Sequence, residues 1–460
     1  MSIEKVTQCL IFGEQFSKPI HFKFDEPHSS SDGGVLLLKA ADQKLQLTTS
    51  LAACLVDDRQ AAKVKHSLSD LLRQRIYGLA SGYADANDAA RLAHEPMFKL
   101  LLDRSPVAGP DLSSQPTLSR FENSIGARQN YRLGLALARS VIERQQKRLR
   151  GKVRSITIDL DPTADPTHGQ QQFSFFNGHY DTHCYLPLLG FLSFNDEPEQ
   201  YLVTALLRPG NASEKHSVVV GLLARLVGLV RAAFPQALLK LRLDGGFTCP
   251  QMLAYLDGVP RLEYVCGMAK NAVLERHAEP LLAAARKLAQ LPNQSTQVFG
   301  ECRYQARSWE HQRRVIIKAE IVFNHCGEPK DNPRFVVTNQ RQSPKFIYKK
   351  AYCSRGEIEN RIKELHHGLE IDRTSCPRFW ANQFRVLLTA AAYALMQEIR
   401  RHARRTTLAR AQVTTLRERL FKLSARIEES VRRIVVHLPK TFPYAREWNS
   451  IARQFGAAPG

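Results

Sequence analysis

The chain has 460 residues, 43% of them hydrophobic, and its 65 Lys and Arg outweigh 44 Asp and Glu to give a formal charge of +21. That length fits two to four domains with a real core, and the positive surplus points to a polyanionic partner, nucleic acid first, because each phosphate contact releases a counterion. Apolar runs such as Val218 to Val230, broken by Arg225, are too short to cross a bilayer; Met1 to Cys9 lacks a signal-peptide pattern; and nine scattered cysteines without a Cys-x-x-Cys pair speak against a disulfide scaffold or a structural zinc site. A cytoplasmic protein with reduced thiols and no membrane partner is the expectation.

Ile20, Phe22 and Phe24 alternate with polar neighbours in a strand period, and Ser29 to Gly34 reads as a loop. Leu-rich periodic runs then predict helices over 35–45, 68–79 and 131–146. Between them, Ser114 or Thr117 can cap a helix and Pro116 suits its first turn. Arg120 follows near the helix start, where a recognition helix offers side chains to DNA, although an ordinary capped helix of a bundle would look the same. From Lys152 strands and helices alternate: strands over 153–161, 185–194, 199–207, 239–243 and 262–268, helices over 217–234 and 248–256. This order predicts an α/β mixed sheet flanked by helices. Three further strands, 296–307, 313–323 and 334–338, make a β-rich block, after which helices are expected over 352–370 and 379–402. The Arg-rich tail to Arg433 keeps a helical spacing of Leu and Ile, and its one-sided charge fits either a solvated face or contact with a DNA backbone.

Three acidic motifs stand at strand ends or on a helix beside the sheet. In Asp159-Leu-Asp-Pro-Thr163, Asp159 and Asp161 share one strand face, and Asp161 lies where the strand ends; alone, the motif is an ordinary Asp-Pro turn. In Leu243-Asp-Gly-Gly-Phe247 an apolar strand runs into Asp244 and two glycines that let other groups approach closely. On a helix, Tyr352, Arg355, Glu359, Lys363 and His366 fall along one polar stripe, while Ile358, Ile362 and Leu365 form an apolar stripe that can anchor it. Carboxylates gathered from separate segments could hold divalent metal ions for phosphodiester chemistry, with Arg355 and Lys363 balancing charge and holding phosphate.

Together these stretches resemble the IS1380 family of bacterial insertion-sequence transposases, within the IS4-like group of DDE enzymes. Ser31-Asp-Gly-Gly34, Gly82-Tyr-Ala-Asp-Ala-Asn-Asp88, Thr117-Leu-Ser-Arg-Phe-Glu122 and His168-Gly-Gln-Gln171 carry the likeness beside the acidic motifs, and Tyr352 to Glu359 is similar to the Tyr-x2-Arg-x3-Glu signature. The resemblance implies an RNase H-like catalytic core with a β-rich insertion before the final Glu. It implies Asp161, Asp244 and Glu359 as catalytic metal ligands, Asp161 being preferred to Asp159 because a small residue and a Thr follow it. It also implies a pair of Mg²⁺ ions, with Mn²⁺ as an alternative, and cleavage and strand transfer at terminal inverted repeats by a homodimer on paired DNA ends. Tyr352, Arg355, Lys363 and Arg120 are the expected DNA contacts, with Trp309 in the insertion either stacking a base or packing inside. The signature's later Lys is replaced by His366. The expected division is 1–150 for a helical DNA-binding region, 151–294 and 348–398 for the core, 295–347 for the insertion and 399–460 for a basic helical region. The alternatives are an inactive DNA-binding relative or repressor, and a metal-dependent nuclease that cuts without integrating.

Overall fold

Ile156, Ile158 and Leu160 are fully buried and start the strand about which the molecule is arranged. The computed structural model describes residues 9–12, 17–150, 152–212, 216–289, 296–323 and 328–458. The start of the chain before Cys9, and the expected boundaries at 151 and 294/295, involve residues outside that set.

In chain order, β1 (Leu10–Phe12) pairs with β2 (Ile20–Phe22), and β3 (Ser29–Ser30) follows. Seven helices come next: α1 (Leu36–Leu45), α2 (Leu47–Ala52), α3 (Leu68–Ala80), α4 (Asp88–Arg91), α5 (Pro96–Leu101), α6 (Gln115–Ser124) and α7 (Ala127–Leu149). The central region holds β4 (Ser155–Pro162), β5 (Asp165–Pro166), β6 (Phe175–Asn177), β7 (Thr182–Tyr185), β8 (Leu188–Phe194), β9 (Tyr201–Leu206), α8 (His216–Ala233), β10 (Leu238–Leu243), α9 (Pro250–Gly258), β11 (Leu262–Met268) and α10 (Ala272–Leu288). Then come β12 (Thr296–Tyr304), β13 (Arg313–Phe323), β14 (Pro329–Asp331), β15 (Arg334–Thr338) and the short α11 (Pro344–Phe346). The chain closes with α12 (Glu357–Leu369), α13 (Phe379–His402), α14 (Val413–Leu420), β16 (Ala425–Glu429), β17 (Ile434–His437) and α15 (Ala445–Phe455).

One mixed sheet runs β12-β13-β15-β11-β10-β4-β8-β9, with β14 attached to β13. β10 is parallel to both β4 and β11, while β8 and β9 continue antiparallel on the other side of β4. The β-rich block expected as an interruption is an extension of this sheet, joined through the antiparallel β15–β11 pair. Local alternation reveals a strand but not its partner, so the sequence pattern could not place the block.

Helix α13 is buried along almost its whole length, as its nearly continuous apolar run requires. It packs on β9 and on helices from both ends of the chain, α1, α3, α6, α7, α14 and α15 among them. Buried Glu364 of α12 completes the joint. It accepts from Tyr393 Oη at 2.7 Å, from Arg400 Nη1 at 2.9 Å and from the backbone N–H of Val413, the first residue of α14, at 2.7 Å. A carboxylate at a helix N-terminus also meets its free amides and dipole. The Ser31 to Gly34 motif ties the tail down in the same way. Asp32 pairs with Lys422 at 2.6 Å and with the Tyr83 hydroxyl at 2.5 Å, and a Cβ on Gly34 would lie 1.7 Å from the Leu420 carbonyl oxygen.

The tail departs from the expected continuous helix. After α13 the chain turns through α14 into an antiparallel hairpin, β16–β17, and β16 also pairs with β3. The β-branched residues Ile427, Ile434, Val435 and Val436 favour strands there, and buried Ile427 fixes which face turns inward. Among the described residues no helix is long and apolar enough to cross a membrane, and every described cysteine is a free thiol.

Replacing Glu364 with Leu takes from buried Arg400 its closest partner and leaves only Glu199 at 3.7 Å, so denaturant unfolding should show a loss of about 3 kcal/mol. A change of about 0.5 kcal/mol or less, as at an ordinary surface site, would show that the joint carries no stability.

Candidate active site

Strand register brings two of the acidic motifs together. Leu160 of β4 lies opposite Leu243 of parallel β10, so the next residue of each strand, Asp161 and Asp244, emerges at the same sheet edge. Arg355 spans them, with Nη1 donating to Asp161 Oδ1 at 2.8 Å and Nη2 to Asp244 Oδ1 at 3.4 Å. Burial pushes the Asp161 carboxyl up to about 6; Arg355 opposes this, and the negative charges of Asp244 and Glu359 add to it. Burial is thus the main reason that this carboxyl is raised, with the two neighbouring carboxylates adding to it and the guanidinium opposing.

Asp159 has a different environment. It is fully buried, and both its oxygens accept from Arg242, Nε and Nη2 each at 2.5 Å. Burial raises its carboxyl and Arg242 opposes the shift. Of the two neighbouring acids, Asp161 is the one that meets Asp244 through Arg355.

The third motif is delivered by an irregular helical segment. The regular helix expected over 352–370 begins only at Glu357; Ile347–Tyr352 is a π-helical turn and Cys353–Gly356 a 3₁₀ turn. The π turn buries Ile347 and Tyr348 and carries Tyr352 back toward the sheet. A Cβ built on Gly267 would stand 2.6 Å from the Tyr352 hydroxyl and 2.8 Å from the Gly245 amide nitrogen. Absence of a side chain at Gly267 therefore lets β11, the turn after Asp244 and Tyr352 crowd together. The Arg355 guanidinium then sits 5.9 Å from the Tyr352 ring centroid. Glu359 and Lys363 lie on the exposed side of α12. Glu359 is close enough to raise Asp161, yet among the described residues no three His, Cys, Asp or Glu side chains are grouped tightly enough to hold a metal ion. The donor chemistry of Asp161 and Asp244, two carboxylates side by side at one sheet edge, fits a hard divalent cation.

Some neighbours lie outside the expected set of site residues. Thr163 Oγ1 lies 2.9 Å from His366 Nε2, and His366 Nδ1 lies 2.9 Å from Asp372 Oδ2. Burial raises the Asp372 carboxyl, but the bond and charge of His366, a backbone bond and the charge of His367 together outweigh it and hold the group below its ordinary value. His366 is visible in the sequence as a departure from the signature; its partner Thr163 is distant along the chain, and nearby Asp372 belongs to no motif. Asp165 is buried with Thr374 Oγ1 donating to both its oxygens at 3.0 and 2.9 Å, and burial pushes its carboxyl up to about 8. Gln171 of the His168 to Gln171 motif is buried and donates to the carbonyls of Thr374 and Cys376, so that motif fastens the chain beyond β5 to the segment before α13.

Two expected DNA contacts lie elsewhere. Arg120 is exposed on α6, which begins after Ser114 with Pro116 in its first turn, and lines a cleft with Arg59, Lys63, Lys65 and Thr117. Trp309 is 8% exposed, edge-on to Tyr304 at 5.4 Å and beneath Arg313 at 5.0 Å. Its ring packs against Tyr304 and Arg313, as the packing alternative for this residue expects.

A family model described as "Transposase DDE domain group 1" matches residues 12–458. No curated protein matches the chain.

Gly267→Ala forces backbone at Gly245 to move and should cost about 1–3 kcal/mol, read as a lowered unfolding midpoint; an unchanged midpoint would mean that the close approach is not a constraint. Asp165 gives a pH signature. Its carboxyl binds a proton more tightly folded than unfolded, so its stabilising share is full below about pH 4 and is lost as pH rises toward about 8. Asp165→Asn should remove that decline, the gap between variant and wild type widening across this window and levelling above it. Parallel curves would refute a neutral buried acid.

Proposed function

The chain belongs to the DDE transposase family, and from that premise we propose that it is an IS1380-type enzyme that binds the terminal inverted repeats of an insertion sequence and carries out metal-dependent DNA cleavage and strand transfer. The observation that supports this most is the side-by-side emergence of Asp161 and Asp244 from parallel strands, with Arg355 between them. The partial order β9-β8-β4-β10-β11, three antiparallel strands followed by two parallel ones, supports an RNase H-like core.

In this reading Asp161, Asp244 and Glu359 hold the divalent ions, a pair of Mg²⁺ with Mn²⁺ as an alternative. When bound, such ions supply an activated water and stabilise the departing oxygen. Glu359 moves inward from the exposed face of α12 to complete the set. Arg355, no longer the sole counter-charge of the two aspartates, turns to the phosphate as a fork-shaped donor. Lys363 adds backbone charge from the same helix, and Tyr352 fixes where Arg355 stands. Arg120 and the basic cleft beside it hold duplex DNA in the helical region 1–150. The core comprises 151–294 and 348–398, 295–347 is the sheet extension, and the basic region 399–460 adds further DNA contacts. The working unit is a homodimer on paired ends, cytoplasmic and associated with the nucleoid.

The test is cleavage of labelled inverted-repeat DNA with Mg²⁺. Asp161→Asn, Asp244→Asn and Glu359→Gln should each slow cleavage by at least ~100-fold while binding of the same DNA persists. Wild-type rates in all three would falsify the assignment. Joined products in a strand-transfer assay separate a transposase from a nuclease, and binding without nicking under any metal identifies an inactive relative.

A further inference from the structure

With Trp309 covered, the exposed rings of the central region are found in another place. Phe173, Phe175, Phe176 and Tyr180 are 51%, 39%, 55% and 37% exposed, all within one short stretch. The stretch belongs to the small sheet β5-β7-β6, which begins where β4 ends: Asp161 is the penultimate residue of β4, Thr163 N donates to the Pro187 carbonyl, and β5 starts at Asp165. β6 is one of the two outer strands of this sheet. Successive strand residues point to opposite faces, so Phe175 and Phe176 clothe both sides of that edge. Phe176 meets His183 edge-on at 5.5 Å, and Tyr180 meets His179 at 4.8 Å. Phe173 is anchored against Phe379 at 5.3 Å.

The edge is held firmly. Asn177 accepts from the backbone N–H groups of His179 at 3.0 Å and Tyr180 at 3.3 Å, and donates to the Gly210 carbonyl at 2.9 Å. A Cβ on Gly210 would lie 2.0 Å from the Cys184 carbonyl oxygen and 2.5 Å from that of Phe175, so the strands close tightly around it. Rings left in water on a rigid support are preorganised for an apolar, flat partner. Strand pairing relates the rings to the carboxylate: Phe175 pairs with Cys184 of β7, and the same chain continues into β8, where Leu189 pairs with Asp161.

We infer that the β5-β7-β6 sheet is a stacking edge for unpaired bases of the DNA end, with Phe175, Phe176 and Tyr180 supplying the rings beside Asp161 and Asp244. This rests on the reading that the chain acts on DNA. Every base has a flat face, so aromatic stacking holds single strands without selecting sequence, and the net charge of +21 supplies the attraction for the backbone. Nucleic acid is favoured over a second copy of the chain because a copy seated here would cover the edge at which the two aspartates emerge. The sheet separates the tasks: carboxylates at the end of β4 face the phosphodiester, and the rings next to them take the bases released when the end is opened.

The experiment uses the full chain without added metal and a duplex whose end is splayed, with 2-aminopurine in the unpaired arm, against the same duplex fully paired. Wild-type protein should bind the splayed duplex more tightly and quench its fluorescence. Phe175→Ala with Phe176→Ala should weaken binding of the splayed duplex by about tenfold or more and of the paired duplex by less than about threefold. Phe176→Trp should retain the preference, and Phe176→Leu should lose it. Equal losses on both duplexes, no loss on either, or rescue by Leu as good as by Trp would overturn the inference. So would unchanged binding with a shift in sedimentation, which would make the edge a contact between copies. If wild-type protein binds neither duplex, the DNA reading itself fails; if it binds both and the variants match it, only the stacking edge fails.

Discussion

Two like charges fixed at neighbouring positions by strand register are the constraint on which the other features depend. The parallel pairing of β4 with β10 leaves no freedom in where Asp161 and Asp244 emerge, since Leu160 and Leu243 are locked opposite each other in the core. The repulsion must be answered by a cation, and the structure answers it with Arg355. The chain is distorted to deliver that guanidinium: a π turn, a 3₁₀ turn and a glycine in β11 all serve to place one side chain. π-Helical turns often mark functional sites for this reason, because they re-aim residues that a regular helix would direct elsewhere. Burial, with the negative charges of Asp244 and Glu359 added, keeps the Asp161 carboxyl raised even beside Arg355.

The helix behind the site is held by the opposite principle. Glu364 is buried with Arg400, Tyr393 and a helix N-terminus, so its charge is satisfied from several directions. One face of α12 is thus fastened by a matched network while its other face exposes Glu359 and Lys363. A rigid attachment on one side with unpaired charge on the other lets side chains reorient without moving the helix. His366, joined to Thr163 and Asp372, connects the same helix to the chain just beyond β4.

Much of this arrangement is legible in the order of residues alone. The strands at 155–162, 238–243 and 262–268 and the helix at 379–402 follow from apolar periodicity, and Asp161 and Asp244 stand out because each ends a strand of clear pattern. What cannot be read that way depends on partners remote in the chain. The block 296–338 looks like a separate unit until β15 is seen beside β11. The tail arginines read as a helix because Leu and Ile spacing over short segments fits both periods; burial of Ile427 against β3 decides for a strand. Trp309 looks available because polar and basic residues surround it in sequence, but Tyr304 and Arg313 fold over it. The aromatic cluster at 173–180 carries no motif, and its position follows only from the turn the chain makes after β4.

The pair between Asp159 and Arg242 has a consequence for folding. These two residues are register partners in the parallel β4–β10 ladder. A strand that slips by two residues keeps every side chain on its proper face, so the hydrophobic pattern alone cannot detect the error. Such a slip would set Asp161 against Arg242 and bury a different carboxylate, leaving the other strand end with the wrong acid. A bidentate pair on a fully buried aspartate favours one alignment. The interior ion pair thus works as a vernier: it reads the one shift to which the apolar core is blind, and it keeps the two aspartates from exchanging places.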